Sequence, residues 1–295
     1  MASMRDIQKR INATRKTSQI TKAMHMVSAS KLKRAERSIR NFRPLTKRLS
    51  ASLARILASD PELGHPILEA RDVKKTVYIL ISSDRGLAGP LNANVFKAFE
   101  AHIEKTHTSN EAFVVAPLGY KAYAFVKRRG YESVSDALTQ VRDDVRFLDF
   151  QDICDRFIKD YLSGETDRVV VFYNRFINTL TQSVEQETLI PLEKQPLVSH
   201  YKEDEAGPYK RLYLYEPNVG NVLNQLMPMV VVNILYGMIL EAKASEHAAR
   251  MTAMKSATDN AIEVIKELQL KYNRARQDAI TIELTDIIGG AEAVK

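Results

Sequence analysis

The residue types able to do chemistry are few and do not converge in sequence. Residues 82–94 (SSDRGLAGPLNAN) form a glycine-bearing turn between an apolar run and a helical pattern, a place where backbone N–H groups at a helix N-terminus can hold phosphate. The turn fits neither G-x-G-x-x-G nor G-x-x-x-x-G-K-[ST], and no lysine follows where it would meet phosphate. The competing reading is a tight turn made by Gly86 and Gly89, with Asp84 and Arg85 exposed. The six histidines, His25, His65, His102, His107, His200 and His247, are scattered. His102 and His107 lie five apart around Glu104 and do not share a helix face in the H-E-x-x-H manner. There is no G-x-S-x-G elbow. Asp143, Asp144 and Asp149 read as a solvated loop rather than a tuned acid pair. The one cysteine, Cys154, sits in an apolar segment and reads as a small hydrophobe. The expectation is a chain with no catalytic, cofactor-binding or metal site of its own.

Charge is the stronger signal. The net charge is +7, but it is not spread evenly. Residues 1–57 hold 15 Lys and Arg against 2 Asp and Glu, net +13; residues 58–216 hold 20 against 25, net −5; residues 217–295 hold 8 against 9, net −1. The basic segment suits nucleic acid, an anionic membrane, or an acidic protein collar. Nucleic acid recognition wants aromatic side chains for stacking, and only Phe42 occurs up to residue 57. A membrane-surface helix wants Trp, Phe and Leu on one face, where the middle turns here offer Thr, Ser and Ala. A lone cysteine fits a reducing compartment and excludes an internal disulfide framework. Residues 1–30 lack the apolar core of a secretory signal. The most apolar run, residues 226–240, contains Pro228, Asn233 and Gly237 and reads as too short and interrupted to span a bilayer.

The elements that must carry this charge are two long helices. Alternating steps of three and four from Leu223 give Leu226, Val230, Asn233, Gly237, Leu240, Ala244, His247, Met251, Met254 and onward through Leu268 to Ile282. That is a coiled-coil seam. The helix spans about residues 218–294, with Asn218 as its cap, and at about 1.5 Å per residue it is on the order of 100 Å long. The same steps from Ile7 give Ile11, Thr14, Ser18, Thr21, His25, Ser28, Leu32 and onward to Ile56. In its polar middle the apolar stripe moves over to Ile20, Met24 and Val27, as expected when a 3.6-residue helix drifts against a 3.5-residue grid. Pro44 should kink or locally unpair this helix.

Between the helices the pattern changes. Strands at 76–82, 112–117 and 168–173 alternate with helices at 91–105, 120–129 and 150–162, which predicts an α/β layer with a mostly parallel sheet. Residues 183–191 read as a weaker strand, 202–209 as a polar loop and 211–215 as a last strand. The domain division follows: 1–57 as an N-terminal coiled-coil helix, 58–216 as an α/β, Rossmann-like globular domain, and 217–295 as a C-terminal coiled-coil helix.

Three separated stretches resemble one family closely, the γ subunit of the F-type ATP synthase. Residues 20–31 (ITKAMHMVSASK) are similar to its first-helix motif, 83–92 (SDRGLAGPLN) to its strand-end motif, and 280–293 (ITIELTDIIGGAEA) to its C-terminal signature, with Ile280, Thr281, Glu283, Asp286, Gly290 and Ala291 in the matching places. The resemblance covers essentially the whole chain. It implies an antiparallel coiled coil of the two termini inside a ring of three α and three β subunits, with the globular domain toward the membrane ring. The implied partners are α and β around the coil, and the ε subunit and the ring of c subunits at the globular end. Neither nucleic acid nor direct membrane contact is implied, and nucleotide sites belong to the partners.

Matched residue by residue, the family's collar contacts fall on Met24, Arg250, Gln277, Thr281 and Asp286. The exposed positives Lys9, Arg10, Arg15 and Lys22 face acidic loops. Many family members carry cysteine where this chain has Ala88, so a thiol cannot act in that turn here. The chain also lacks the cysteine pair of the chloroplast form, which implies a bacterial subunit on the cytoplasmic side of the cell membrane. Two readings of different class result: a rotor subunit coupling rotation of the c-ring to the three catalytic β subunits, and a basic coiled-coil tether for nucleic acid or anionic membrane.

Overall fold

The computed structural model describes residues 4–59, 64–134, 140–193 and 214–293. The elements are helix α1 (Met4–Ser59), strand β1 (Thr76–Ile81), helix α2 (Leu91–Thr106), strand β2 (Phe113–Leu118), helix α3 (Tyr120–Arg129), helix α4 (Gln151–Ser163), strands β3 (Arg168–Phe176) and β4 (Gln182–Ile190), and helix α5 (Val219–Ala293). The chain forms two compact units, one of residues 1–30 and 250–295, the other of residues 31–249. Both long helices contribute to both units.

In the 31–249 unit the sheet order is β2-β1-β3-β4, with β1 parallel to β2 and β3, and β4 antiparallel to β3. Every residue of β1 and β2 is buried, as expected of parallel strands covered on both faces, and this is why their sequences are continuous apolar runs. Successive side chains go to opposite faces. Tyr78 and Leu80 join Val95 and Phe99 of α2 and Phe125 of α3 on one side. Val77, Ile79 and Ile81 join Phe157 of α4, Leu53 and Leu57 of α1, and Met227, Val231 and Leu235 of α5 on the other. The long helices therefore supply part of the sheet's core.

Their antiparallel course within this unit is visible in side chains. Lys31 and His247 both reach Asp143, while Phe42 packs edge-on against Tyr236 at 4.9 Å between ring centroids. Asn218 caps α5, its Oδ1 accepting from the Asn221 N–H at 2.8 Å. Pro44 lies within α1, which continues through it. An 18-residue window of α5 has mean hydropathy 1.6, apolar enough by length and composition to cross a membrane, so the apolar run is longer than the sequence reading allowed. Half of that window is buried within the protein. The expected strand at 211–215 falls largely outside the described residues, as does the polar loop at 202–209. Leu214 and Tyr215, its described part, are not in a strand.

In the other unit, burial stays on the 3.5-residue grid. Ile7, Ile11, Thr21 and Ser28 of α1 are buried, as are Met254, Thr258 and Ala261 of α5. The hydroxyls of Thr21 and Thr258 lie 2.7 Å apart, and Thr258 Oγ1 donates to the Met254 carbonyl at 2.8 Å. The expected drift of the seam onto Ile20 and Val27 is corrected: both are more than half exposed, and Met24 is half-buried. The reason is the small polar residues themselves. Thr21 and Thr258 satisfy each other across the interface, so a seam of threonine and serine is retained and the apolar residues are left facing outward. The seam also ends earlier than the spacing predicts, at Ala279, with Ile282 exposed.

Leu268 is half-buried on this seam. Leu268→Asp is expected to destabilise the coil by ~2 kcal/mol through a charge placed against apolar surface. Thermal melting followed by circular dichroism is the check, and an unchanged melt would remove Leu268 from the interface.

Candidate partner-binding surfaces

The strand-end turn is bound up in holding the fold. Ser83 N–H donates to Asn92 Oδ1 at 3.1 Å, and Asn92 Nδ2 donates to Ser83 Oγ at 2.7 Å. Asp84, expected to be exposed, is half-buried and accepts from the Tyr120 N–H at 3.0 Å and the Val141 N–H at 3.3 Å through one oxygen. It therefore ties the β1 turn to the start of α3 and to the loop beyond it. Leu87 and Gly89 take positive φ values, 64° and 58°, and Ala88 is buried beneath them. The residues that look like a phosphate cradle in sequence are spent on these internal bonds.

Three clusters were not legible in sequence. His102 Nε2 and His107 Nε2 both meet the Tyr78 hydroxyl, at 3.1 and 2.8 Å. Burial lowers the pKa of both imidazoles and pushes that of Tyr78 up to about 12. Asp143 is exposed as expected, with Asp144 and Asp149, but it is paired: Lys31 Nζ donates to it at 2.5 Å and His247 Nε2 lies 3.6 Å away. Partial burial alone would raise its pKa, but the Lys31 hydrogen bond and the neighbouring cationic side chains hold it below the usual carboxylate range. Lys243 and Glu246 form a buried ion pair at 3.2 Å, one turn apart on α5. The i,i+3 spacing of opposite charges is the one sequence signal that could have marked that pair. Cys154 is buried, and burial pushes its thiol up to about 12, which leaves it unreactive near neutrality.

Among the described residues no group of three or more His, Cys, Asp or Glu is arranged to hold a metal. What the molecule offers is surface. Lys9, Arg10, Arg15 and Lys22 are exposed along α1, beside the outward-facing apolar residues Ile20, Met26 and Val27. Gln277, Thr281 and Asp286 are exposed on α5, and residues 280–291 are exposed on every side, including Ile280, Ile282, Leu284, Ile287 and Ile288. Thr281 Oγ1 donates to the Gln277 carbonyl of its own helix at 2.9 Å. Arg250 differs from the other expected contact residues, being 8% exposed. A helix end carrying five exposed large aliphatic side chains is an interaction surface rather than a stable free one.

The family profile described as ATP synthase matches residues 3–294. The ATP synthase gamma chain of Macrococcus caseolyticus is 42% identical over the full length of both chains, and that of Staphylococcus saprophyticus subsp. saprophyticus 41% identical, also over the full length of both. The chain belongs to the ATP synthase gamma-chain family. Identity at this level over whole chains covers both long helices and the α/β unit alike. Among solved structures, a chain of the Euglena gracilis mitochondrial ATP synthase is similar in fold, with a TM-score of 0.64 and 18% identity, covering 99% of this chain and 94% of that one. A chain of the central stalk and c-ring of the Tetrahymena thermophila mitochondrial enzyme has a TM-score of 0.58 and 24% identity, covering 81% of this chain and 99% of that one. The fold described above, two long terminal helices with an inserted mixed sheet, is shared with these chains.

Proposed function

We propose that this chain is the central-stalk rotor subunit of a bacterial, proton-translocating F-type ATP synthase, a part of a multi-subunit enzyme with no catalytic site of its own. The observation that carries this is the C-terminal end of α5, where twelve successive residues, 280–291, are exposed together with five large aliphatic side chains. Such a surface calls for an enclosing partner. In this reading residues 1–57 and 217–295 form the turning shaft and residues 58–216 its base. Three α and three β subunits surround the shaft, and the ε subunit and c-ring meet the base, on the cytoplasmic side of the cell membrane. The membrane is reached only through the complex.

The mechanism needs no chemistry on this chain. A coiled coil presents different side chains in each direction, so three like partners around it meet three different surfaces. Their nucleotide sites are then biased differently, and turning the shaft takes each partner through the same sequence of states. That is coupling by differential contact free energy, and it lets the chain regulate both ATPase activity and proton flow. Lys9, Arg10, Arg15 and Lys22 attract acidic loops of the collar. Exposed pairs are worth about 0 to 1 kcal/mol each, enough to guide position without locking rotation. Met24, Gln277, Thr281 and Asp286 are the proposed contacts, and Arg250, being buried, acts from within the coil. The alternative of a nucleic-acid or membrane tether has no specific observation in its favour.

Met24→Lys is expected to add a charge beside the acidic loops and to reduce the protons pumped per ATP hydrolysed several-fold, with the melting temperature of the isolated chain unchanged. Proton pumping by reconstituted complexes reports this, and undiminished pumping would remove Met24 from the contact. Co-assembly tests the role itself. The chain should co-purify with α and β subunits at physiological salt and leave duplex DNA unbound; tight DNA binding without co-assembly would favour the tether.

A further inference from the structure

Helix α2 ends at Thr106, and the next residue, His107, leaves it in extended backbone with φ −122° and ψ 133°. Two histidines five apart on a continuous helix would sit on different faces; the end of α2 is what lets His102 and His107 converge. Both rings reach the end of Tyr78 from β1, with His107 Nε2 2.8 Å and His102 Nε2 3.1 Å from its hydroxyl. His102 Nε2 also meets Thr106 Oγ1 at 3.4 Å. Aromatic neighbours hold the three rings in place. Phe99 and Phe113 stand edge-on to Tyr78 with centroids 5.6 and 5.9 Å away, His107 packs against Phe113 at 5.1 Å, and His102 against Phe172 at 5.4 Å. The phenylalanines are buried, whereas both histidines are only half-buried, so the cluster lies at the rim of the core and within reach of solvent.

The spacing of the three polar atoms suits metal ligands as well as hydrogen-bonding groups. Ligand atoms bound at about 2.0–2.1 Å, at angles between square and tetrahedral, stand about 2.8–3.4 Å apart. Both N···O separations fall in that range. Burial lowers the pKa of both imidazoles, so they are neutral at pH 7 and carry the lone pair that a metal needs. The third ligand is a phenol that burial keeps protonated, its pKa pushed up to about 12, while Arg168 and Thr76 act in the opposite sense and favour its ionised form. Arg168 also acts on His102, but it is exposed, and solvent and salt screen its repulsion of an incoming cation.

We propose that Tyr78, His102 and His107 form a binding site for one divalent transition-metal ion of the imidazole-preferring kind, Cu²⁺ or Zn²⁺, which ties the end of α2 to β1. In the free chain the tyrosine has one proton to give, so one imidazole accepts it and the other donates its Nε2–H to the phenol oxygen. On binding, that second imidazole carries its proton on Nδ1 instead. Both Nε2 lone pairs and the phenolate oxygen then bond the ion, and the phenol proton passes to solvent, one proton released per ion. Water completes the coordination. The site belongs to the α2 side of the sheet and does not depend on the rotor reading.

The test titrates the full chain with Cu²⁺ and follows absorption and electron paramagnetic resonance. One equivalent is expected to give a tyrosinate-to-copper charge-transfer band and hyperfine splitting from two imidazole nitrogens, and an excess of Zn²⁺, but not of Mg²⁺, should bleach the band. Tyr78→Phe should remove both the band and the proton release. His102→Gln and His107→Gln, which keep a side-chain amide beside the Tyr78 hydroxyl, should each weaken binding at least ten-fold with the circular dichroism of the parent. No saturable uptake of copper, a copper complex without the charge-transfer band, or binding by either glutamine variant as tight as by the parent would each overturn the proposal, any bound ion then being adventitious.

Discussion

Gly119→Ala is expected to destabilise the 31–249 unit by ~4 kcal/mol. Gly119 follows β2 with φ of 99° and ψ of 148°, a region essentially reserved for glycine. Space forbids the change as well as conformation. A Cβ there would stand 2.3 Å from the Ser82 carbonyl oxygen and 3.0 Å from Ser82 Oγ. Both are fixed: the Ser82 N–H donates to the Leu118 carbonyl at 2.8 Å, and Ser82 Oγ accepts from the Ala122 N–H at 2.7 Å. The alanine therefore has to part the ends of β1 and β2, and with them the turn that Asp84 ties down. Urea denaturation measures the loss. A midpoint within experimental error of the parent would mean that the two strand ends are not clamped as described.

A second large effect belongs to the buried ion pair. Lys243→Met should cost ~3 kcal/mol, because the Glu246 carboxylate, with only 6% of its side chain exposed, loses the ammonium 3.2 Å away while remaining out of water. The double variant Lys243→Met with Glu246→Leu should recover most of that loss, since exchanging both charges for apolar groups removes the desolvation penalty together with the attraction. Denaturation of the two variants side by side reads the difference. If the double variant is no more stable than the single one, the pair is held by its surroundings rather than by mutual compensation.

These positions show what sequence can and cannot carry. The period of the long helices was legible because it repeats: Ile7, Ile11, Thr21 and Ser28 at one end, and Met254, Thr258 and Ala261 at the other, lie where a 3.5-residue step puts them. The strands were legible because burial on both faces demands unbroken runs such as TVYILI. Asn218 announced its cap by type alone. What failed was any inference needing a partner from far along the chain. Ile20 and Val27 look like seam residues until Thr21 and Thr258 are seen to satisfy each other. Asp143 is exposed as its sequence suggests, but its pairing with Lys31 and His247 needs residues from other elements. That Asn233 Nδ2 is buried without a partner among the described residues is invisible in a helical pattern that counts Asn233 as one seam position among many. The expected collar contacts on α5 rest on the family resemblance rather than on the period, and residues 280–291 follow no buried stripe at all.

In the proposed role this chain turns, and the surrounding subunits respond to its turning. The direct measurement fixes α and β subunits assembled with this chain to a surface, attaches a bead to the 58–216 region, and supplies ATP. The bead should rotate in one direction, with three pauses per turn and a rate that follows ATP hydrolysis. Sustained hydrolysis by such assemblies with a stationary bead would contradict that role.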